Sequence, residues 1–505
     1  MVLVANATLT QRAFLSFSSS ALLSLARFLV GFVVTPIVVS GLGLHLYGVW
    51  GILQQTVGYL ALGDLRPVGT LRFSLAIRQH LPDVSEKRRQ IGAAVLLWVG
   101  TLPVFFSVAA VALYLAPKFI DVDRDQISEL RWALGVILTA VAIERIFSLP
   151  ESVLRGMNSD YKAMGLSALS VLAGGAITAW LVLAGHGIVG MALASLLSVS
   201  LAGTVRYVVV HRVLDWFGIE WPSRDEFGTF SRLSVWLFLS AIGSLLLLAT
   251  DMMVIGILFG PTRAGIYATT GLALRFVGQP LNLFLTSGNA GLVGLCGKGD
   301  WQRVAELRSE MIELATFLNI VLGVGVVVLN RSFLQLWMGG DFYGGDLLNA
   351  LVVTSSLVVT LFRIDSVIVD SILEYRRKAI GQFYAGLIGM LIAFALASRF
   401  GIEGCVLGFL CGVITITIYQ AILIKRHPLG RAQLRPYAGV RALGVGLLLL
   451  MVAFLWGDNV VVQTWGAFLW WGFALVACTA IVMFLFGLSQ ETRSRLLARI
   501  LHLVR

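Results

Sequence analysis

Fourteen apolar stretches recur along this 505-residue chain, each long enough as a helix to cross about 30 Å of hydrocarbon. They lie at about 13–40, 47–63, 91–116, 131–155, 163–184, 187–210, 231–259, 264–296, 309–330, 347–373, 379–398, 402–424, 438–456 and 463–488. With 58% hydrophobic and only 13% charged residues, a soluble globular domain is excluded. The expected fold is all-α: a polytopic membrane protein of about 14 transmembrane helices. The first stretch is too long for a signal-peptide core and is expected to remain as a span.

The net charge of +11 invites a nucleic-acid reading, but the placement of the basic residues argues against one. With the N-terminus inside, 28 of the 38 Lys and Arg residues fall in inner segments and 6 in outer loops. This is the positive-inside bias, and it predicts both termini in the cytoplasm, with basic surface toward anionic headgroups. The inner loop from Asp64 to Gln90 carries a basic amphipathic stretch, Arg78 to Arg89, expected along the headgroups. The outer loops are short. One holds Asp121-Val-Asp-Arg-Asp125, whose DxD reads as an ordinary acidic loop. The four cysteines and six histidines show no metal-ligand spacing, so no metal, no bound cofactor and no catalytic residue is expected.

The remaining four basic residues, Arg27, Arg145, Arg275 and Arg363, sit inside spans. A guanidinium at mid-bilayer depth costs ~2.5–3.5 kcal/mol, so four cost on the order of 10–14 kcal/mol, comparable to the whole stability of a typical protein. Such residues usually line a polar cavity, and cations there recognise anions. Polar residues share their helical faces. Span 8 carries Arg275, Gln279, Asn282, Thr286 and Asn289; span 10 carries Ser356, Thr360, Arg363, Asp370 and Glu374; span 4 carries Arg145, Ser148, Ser152 and Arg155. The expected cavity residues are Arg27, Gln55, Arg145, Arg275, Gln279, Asn282 and Arg363. The competing reading is static charge pairing between helices, since Glu144, Asp251, Asp365 and Asp370 also lie in spans. Asp251, Asp370 and Glu144 are candidates for charge pairing or for coupling transport to a proton or sodium gradient, with Asp251 first.

The chain also repeats itself. Gly41–Tyr47 resembles Gly260–Tyr267, Lys162-Ala-Met-Gly165 resembles Lys378-Ala-Ile-Gly381, and Gly187-Ile-Val-Gly190 resembles Gly401-Ile-Glu-Gly404. The offsets of 214 to 220 residues map spans 1–6 onto spans 7–12. Each half has an even number of spans, so two six-helix lobes are expected about a pseudo-two-fold axis along the membrane normal. The expected domains are 1–222, 223–430 and an appended helix pair with a basic tail, 431–505. In this register Arg145 falls at Arg363, and Gln55 at Arg275.

The segment up to Arg72, with Thr35-Pro36, Leu42-Gly43, Tyr47-Gly-Val-Trp50 and Asp64…Arg72, resembles the opening of Wzx-type polysaccharide (O-antigen repeat-unit) flippases of the multidrug/oligosaccharidyl-lipid/polysaccharide exporter superfamily. Arg66-Pro67 departs from the pattern, which there continues Asp-Leu with a glycine. The resemblance implies two lobes rocking around a central cavity. It implies as substrate an oligosaccharide of lipopolysaccharide or exopolysaccharide type on an undecaprenyl pyrophosphate carrier in the bacterial inner membrane. It also implies arginines of spans 1 and 8, here Arg27 and Arg275, facing the cavity, and an appended pair holding the lipid tail. A polysaccharide polymerase and assembly proteins are implied partners. A pyrophosphate is a dense anion that guanidinium groups bind bidentately.

The alternatives are a lipid II flippase, with the same carrier and a different headgroup, and a cation-coupled multidrug exporter of the same superfamily. A membrane-embedded polymerase or ligase would need a large outer loop with catalytic residues, so an enzyme is not expected.

Overall fold

The computed structural model describes the backbone of residues 9–504 apart from 61–64, 66, 79–81, 121–125, 158, 280, 282–284, 286–291, 293–294, 340–341, 373, 432–437 and 458–459. Side chains are described from 18 to 498 with the same gaps and without 77, 119, 431 and 438. The described residues form α1 (Leu9–Leu60), α2 (Pro67–Ile77), α3 (Val84–Phe119), α4 (Ile127–Gly156), α5 (Tyr161–Leu183), α6 (Gly187–Val213), α7 (Arg224–Leu248), α8 (Asp251–Phe259), α9 (Pro261–Thr270) and α10 (Leu272–Val277). There follow α11 (Trp301–Met338), α12 (Asp346–Ser371), α13 (Tyr375–Arg426), α14 (Pro428–Arg431), α15 (Ala438–Gly457), α16 (Trp465–Val482) with a π turn at Met483–Gly487, and α17 (Gln490–Val504). The protein is an all-α polytopic membrane protein.

Eleven helices among the described residues are long and apolar enough to cross a membrane. Two of these are pairs of spans run together. α1 turns at Gly43 (φ 73°, ψ 168°) and α13 at Gly401 (φ 61°, ψ −140°), conformations that a side chain would strain. The expected seventh span, 231–259, is not continuous: α7 ends at Leu248 and α8 starts at Asp251. The eighth, 264–296, is divided into α9, α10 and a stretch described only at intervals. Polar caps set several helix starts. The Asp83 carboxylate accepts from the Glu86 N–H (3.0 Å) before α3, and Asp300 accepts from the Arg303 N–H (3.2 Å) before α11.

The chain packs as two compact units, one of Met1–Leu245 with Gly256–Gly265, the other of Leu246–Ile255 with Ile266–Arg505. In the first, α4 packs on α6 and α1 on α5. Its core gathers Leu71 and Leu75 of α2, Ile91 and Leu97 of α3, Val153 and Leu154 of α4, Val209 and Val210 of α6, and Phe230 of α7. A buried hydrogen bond from the Ser234 hydroxyl to Thr70 (2.7 Å) ties α7 to α2. Elsewhere in this unit two backbone segments cross at van der Waals contact. A Cβ on Gly48 would lie 1.8 Å from the Pro261 carbonyl oxygen, and one on Gly265 would lie 2.4 Å from that of Leu44. Leu44 and Pro261 are separated by the same number of residues as Gly48 and Gly265.

The described arginines of the basic stretch Arg78–Arg89 are paired within the protein. Arg78 pairs with Glu86 (2.7 Å), Arg89 with Glu226 (2.9 Å), and Arg88 with Glu220 (3.3 Å) and the Trp216 carbonyl (2.8 Å). Lys87 is buried, its ammonium 5.6 Å from the Trp216 ring centre. Two of these carboxylates, Glu220 of the linker after α6 and Glu226 of α7, are partners that a local reading of Arg78–Arg89 cannot see. The linker is strapped to α3: the Glu220 N–H donates to the Arg88 carbonyl (3.3 Å). The Ser85 hydroxyl, ahead of the Arg88 guanidinium, holds the Glu220 carboxyl below its usual range.

In the second unit α11 is by far the most enclosed of the long helices. It packs against α12, α15 and α16, and its core joins Val304, Met311 and Ala315 to Ile364 and Ile368 of α12 and Leu423 and Ile424 of α13. α17 docks on its N-terminal half, where Ser489 donates through N–H (3.0 Å) and hydroxyl (2.9 Å) to the buried Glu313 carboxylate, and Arg495 pairs with Glu310 (3.4 Å).

Candidate substrate site within the spans

Each of the four arginines stands on a helix of the described residues. In the first unit Arg27 is exposed on α1 beside buried Ala26. Arg145 is half-buried on α4, where its carbonyl accepts from the Ser148 hydroxyl at 2.7 Å. Gln55, also on α1, is half-buried, and Glu144 is exposed. In the second unit Arg275 is exposed on α10, its carbonyl accepting from Gln279 Nε2 at 3.4 Å, and Gln279 is half-buried. Arg363 is exposed on α12. Asn282 lies outside the described residues, as do Thr286, Asn289 and the Asp121–Asp125 loop.

Asp365 and Asp370 of α12 are committed to other cations. Asp365 receives a bidentate hydrogen bond from Arg308 of α11, both contacts at 2.8 Å, with side chains only 5% and 11% exposed. Asp370 takes the buried Lys378 ammonium at 2.8 Å on both oxygens. In the first unit Glu151 takes Arg155 (2.6 Å) and Arg206 (2.8 Å). Among the described residues neither Arg27 nor Arg275 makes an ion pair. Exposed Arg27, Arg275 and Arg363, with Asp365 and Asp370 taken by other cations, present positive charge, which is chemistry for an anion.

The polar stripe of α12 divides by role. Ser356 donates to Asn319 Oδ1 (3.2 Å), and Asn319 Nδ2 donates to Thr360 (3.0 Å). These three tie α11 to α12, the ordinary interhelical use of small polar residues, whereas Arg363 on the same helix is exposed. Asp251, first residue of α8, accepts at Oδ1 from the Met252 N–H (2.9 Å) and on its other oxygen from the Tyr267 hydroxyl of α9. Two functional-looking residues carried no local sequence signal. Arg308 read as one of many inner basic residues, and Tyr267 as a landmark of the repeated turn.

A cavity of about 300 Å³ opens in the first unit away from these arginines. Its lining includes Ser74, Arg78, Glu86, Gln90, Asp225 and Phe230. Arg78 and Glu86 are paired with each other, and Ser74 donates to Gln90 (2.7 Å).

Comparison with known proteins places this geometry. Over residues 16–286 the sequence matches the family model described as "Polysaccharide biosynthesis protein". A comparison with curated protein sequences finds no match. Among solved structures, the lipid II flippase MurJ in an inward closed conformation aligns with a TM-score of 0.63 at 14% identity, covering 93% of this chain and 97% of that one. An inward-facing multidrug resistance MATE family transporter of the MOP superfamily aligns with a TM-score of 0.61 at 15% identity, covering 83% and 99%. An outward-facing structure of such a transporter gives 0.57 at 17%, covering 83% and 96%. The matched segment runs from the first span through the broken eighth, and so takes in both Arg27 and Arg275. The chain belongs to the polysaccharide biosynthesis protein family and has the fold of the MOP superfamily of flippases and transporters.

Proposed function

We propose that this protein is a flippase of the bacterial inner membrane that moves undecaprenyl-pyrophosphate-linked oligosaccharide repeat units outward by alternating access, with both termini in the cytoplasm. The observation that carries the reading is the exposure of guanidinium groups within apolar spans while Asp365 and Asp370 are taken by Arg308 and Lys378. Cations held in this way suit an anionic cargo and disfavour the organic cations a multidrug exporter would carry. Family membership supports a saccharide headgroup. Arg27 in the first unit and Arg275 in the second each act as a phosphate anchor, and Arg145, Arg363, Gln55, Gln279 and Asn282 contribute polar surface. Polymerase and assembly proteins would receive the flipped unit.

The similarity to a lipid II flippase over 93% of the chain favours one second reading, a peptidoglycan headgroup on the same carrier. Arg27→Ala and Arg275→Ala separate anchor from scaffold. Each is expected to abolish surface polysaccharide while the protein accumulates normally, and Lys restores it only partly because a point charge lacks the planar fork. Normal export from well-expressed Ala variants at both positions overturns the proposal. Rescue of cells depleted of their lipid II flippase, without any effect on surface polysaccharide, moves it to the second reading.

A further inference from the structure

The cavity of about 300 Å³ in the first unit is built from groups that the phosphate anchors do not use. It lies among α2, α3 and the start of α7, and all its lining residues belong to the first packed unit. Two ion pairs shape its walls. Arg78 gives Nε to Glu86 (2.7 Å) and Nη1 to the Ser74 hydroxyl (2.9 Å), which leaves Arg78 Nη2 and Glu86 Oε2 without a partner among the described residues. Glu226 is taken by Arg89 (2.9 Å) and by the Ser223 N–H (2.7 Å).

The relay through Ser74 fixes the amide of Gln90. The Ser74 hydroxyl accepts from Arg78 and turns its own proton to Gln90 Oε1 (2.7 Å), so the amide presents Nε2 elsewhere. Gln90 is only 6% exposed and lines the cavity, yet its Nε2 donates to nothing among the described residues. An amide held this deep without an acceptor is unfavourable, and a ligand that brings it a lone pair relieves the cost. On α7 the Asp225 carboxylate and the Thr229 hydroxyl are exposed, line the same cavity and likewise make no hydrogen bond or ion pair among the described residues.

The unused groups decide the ligand class. Gln90 Nε2 and Arg78 Nη2 only donate, the Asp225 and Glu86 oxygens only accept, and Thr229 does both. A simple cation would meet the two donors unfavourably, and an anion the carboxylates. A neutral ring that carries several hydroxyls serves them all, since each hydroxyl both donates and accepts. Phe73 and the buried Phe230 in the same walls suit the C–H faces of such a ring, whose weakly positive hydrogens meet the negative face of an aromatic. We infer that this cavity is a saccharide-binding site that holds a neutral sugar residue by hydrogen bonds from Gln90 and Arg78 and to Asp225 and Glu86. The inference rests on the flippase reading above in one respect: the sugar belongs to the lipid-linked cargo, recognised by residues other than the phosphate anchors.

The full chain in detergent micelles is tested by saturation-transfer difference NMR. The probes are N-acetylglucosamine and the oligosaccharides released by mild acid from the surface polysaccharide of cells that express the protein. The wild type is expected to transfer saturation to the sugar ring protons, and neither tetramethylammonium nor inorganic phosphate should displace the sugar. Asp225→Asn should weaken binding about tenfold, and Thr229→Val less. Both positions are exposed, so these variants decide the matter even where Gln90→Leu, which removes the deep donor, fails to fold. In cells, Asp225→Asn should lower surface polysaccharide at normal protein level. Absence of sugar binding in the wild type, displacement by either ion, undiminished binding when Asp225→Asn and Thr229→Val are combined, or full export from Asp225→Asn cells each overturns the proposal. Binding of N-acetylglucosamine without the released oligosaccharides supports the site and moves its cargo to the peptidoglycan reading. The flippase reading fails by a different result, normal export from Arg27→Ala and Arg275→Ala, which leaves the sugar titration standing.

Discussion

The first two spans resemble the seventh and eighth in sequence, and the two pairs differ in the fold. The first copy is one element, α1, interrupted only by the turn at Gly43. The second is divided into α7, α8, α9 and α10, with breaks after Leu248, at Gly260 and at Gly271. Chemistry follows the breaks. The stretch of the first copy that matches Asp251 is Phe32-Val-Val34, with no carboxylate, and Gln55 stands where the second copy has Arg275. The contrast continues into the next spans. The register that pairs Arg145 with Arg363 puts Gln90 and Phe147 where the second copy has Arg308 and Asp365. The division lies in the acid: each hairpin carries an arginine, Arg27 in the first and Arg275 in the second, and the second adds the carboxylate of Asp251.

The largest expected effect tests that division at the buried ion pair. Asp365→Ala leaves the Arg308 guanidinium buried without its carboxylate and should cost about 3–5 kcal/mol of stability. The double replacement Arg308→Gln with Asp365→Phe installs the residues of the first copy and should recover most of that loss in a thermal melt of detergent-solubilised protein. Equal instability of single and double variants breaks the comparison, because it would show that the second copy cannot accept the apolar solution of the first.

A smaller effect sharpens what the copies share. Gly48→Ala and Gly265→Ala each push a methyl group into a backbone carbonyl, that of Pro261 or of Leu44. Both should lower the melting midpoint, by roughly 1–3 kcal/mol each on the scale of overpacked sites. Similar losses at the two positions support the reciprocity of the crossing; a loss at Gly48 alone would show that only one arm is tight.

The smallest concerns the linker that joins the copies. Glu220 has its carboxyl lowered by Ser85 and then Arg88, so its contribution to stability is full above the unfolded value of about 4.3 and is lost as pH falls through the folded one. Glu220→Gln should therefore flatten the acid limb of the stability profile and leave the neutral region nearly unchanged. An unaltered acid limb would show that the strap is held by its backbone bonds alone.

Much of this architecture is legible in the sequence because the bilayer imposes it. Span lengths follow from hydrocarbon thickness, and the repeated turns from glycines: Gly43 and Gly260, and Gly187 and Gly401, all have positive φ. The break in the seventh span is not legible. Leu245-Leu-Leu-Leu-Ala-Thr250 contains neither proline nor glycine, and the side chain that meets the acid at the break is a tyrosine sixteen residues beyond it. The partners of the charged residues were hidden for the same reason. Arg308 and Asp365 are 57 positions apart, and Arg88 and Glu220 are 132. A helical face can be read from spacing, whereas the cation that an acid will choose on another helix cannot. Thus the four arginines could be placed at depth, but the fate of Asp365 and Asp370 could not.

The interleaving of the two packed units has a consequence for how such a chain is made. Residues 246–255 belong to the second unit and 256–265 to the first. Wherever a ribosome pauses before residue 265, the first unit lacks the strand of backbone that covers Leu44 and Gly48, and those glycine-lined surfaces face lipid or an insertion factor. A cut at the linker after α6 deprives the first unit of its last piece, and a cut after 265 takes from the second unit the acid that anchors its broken span. The first unit is therefore complete only once residue 265, more than half of the polypeptide, has emerged.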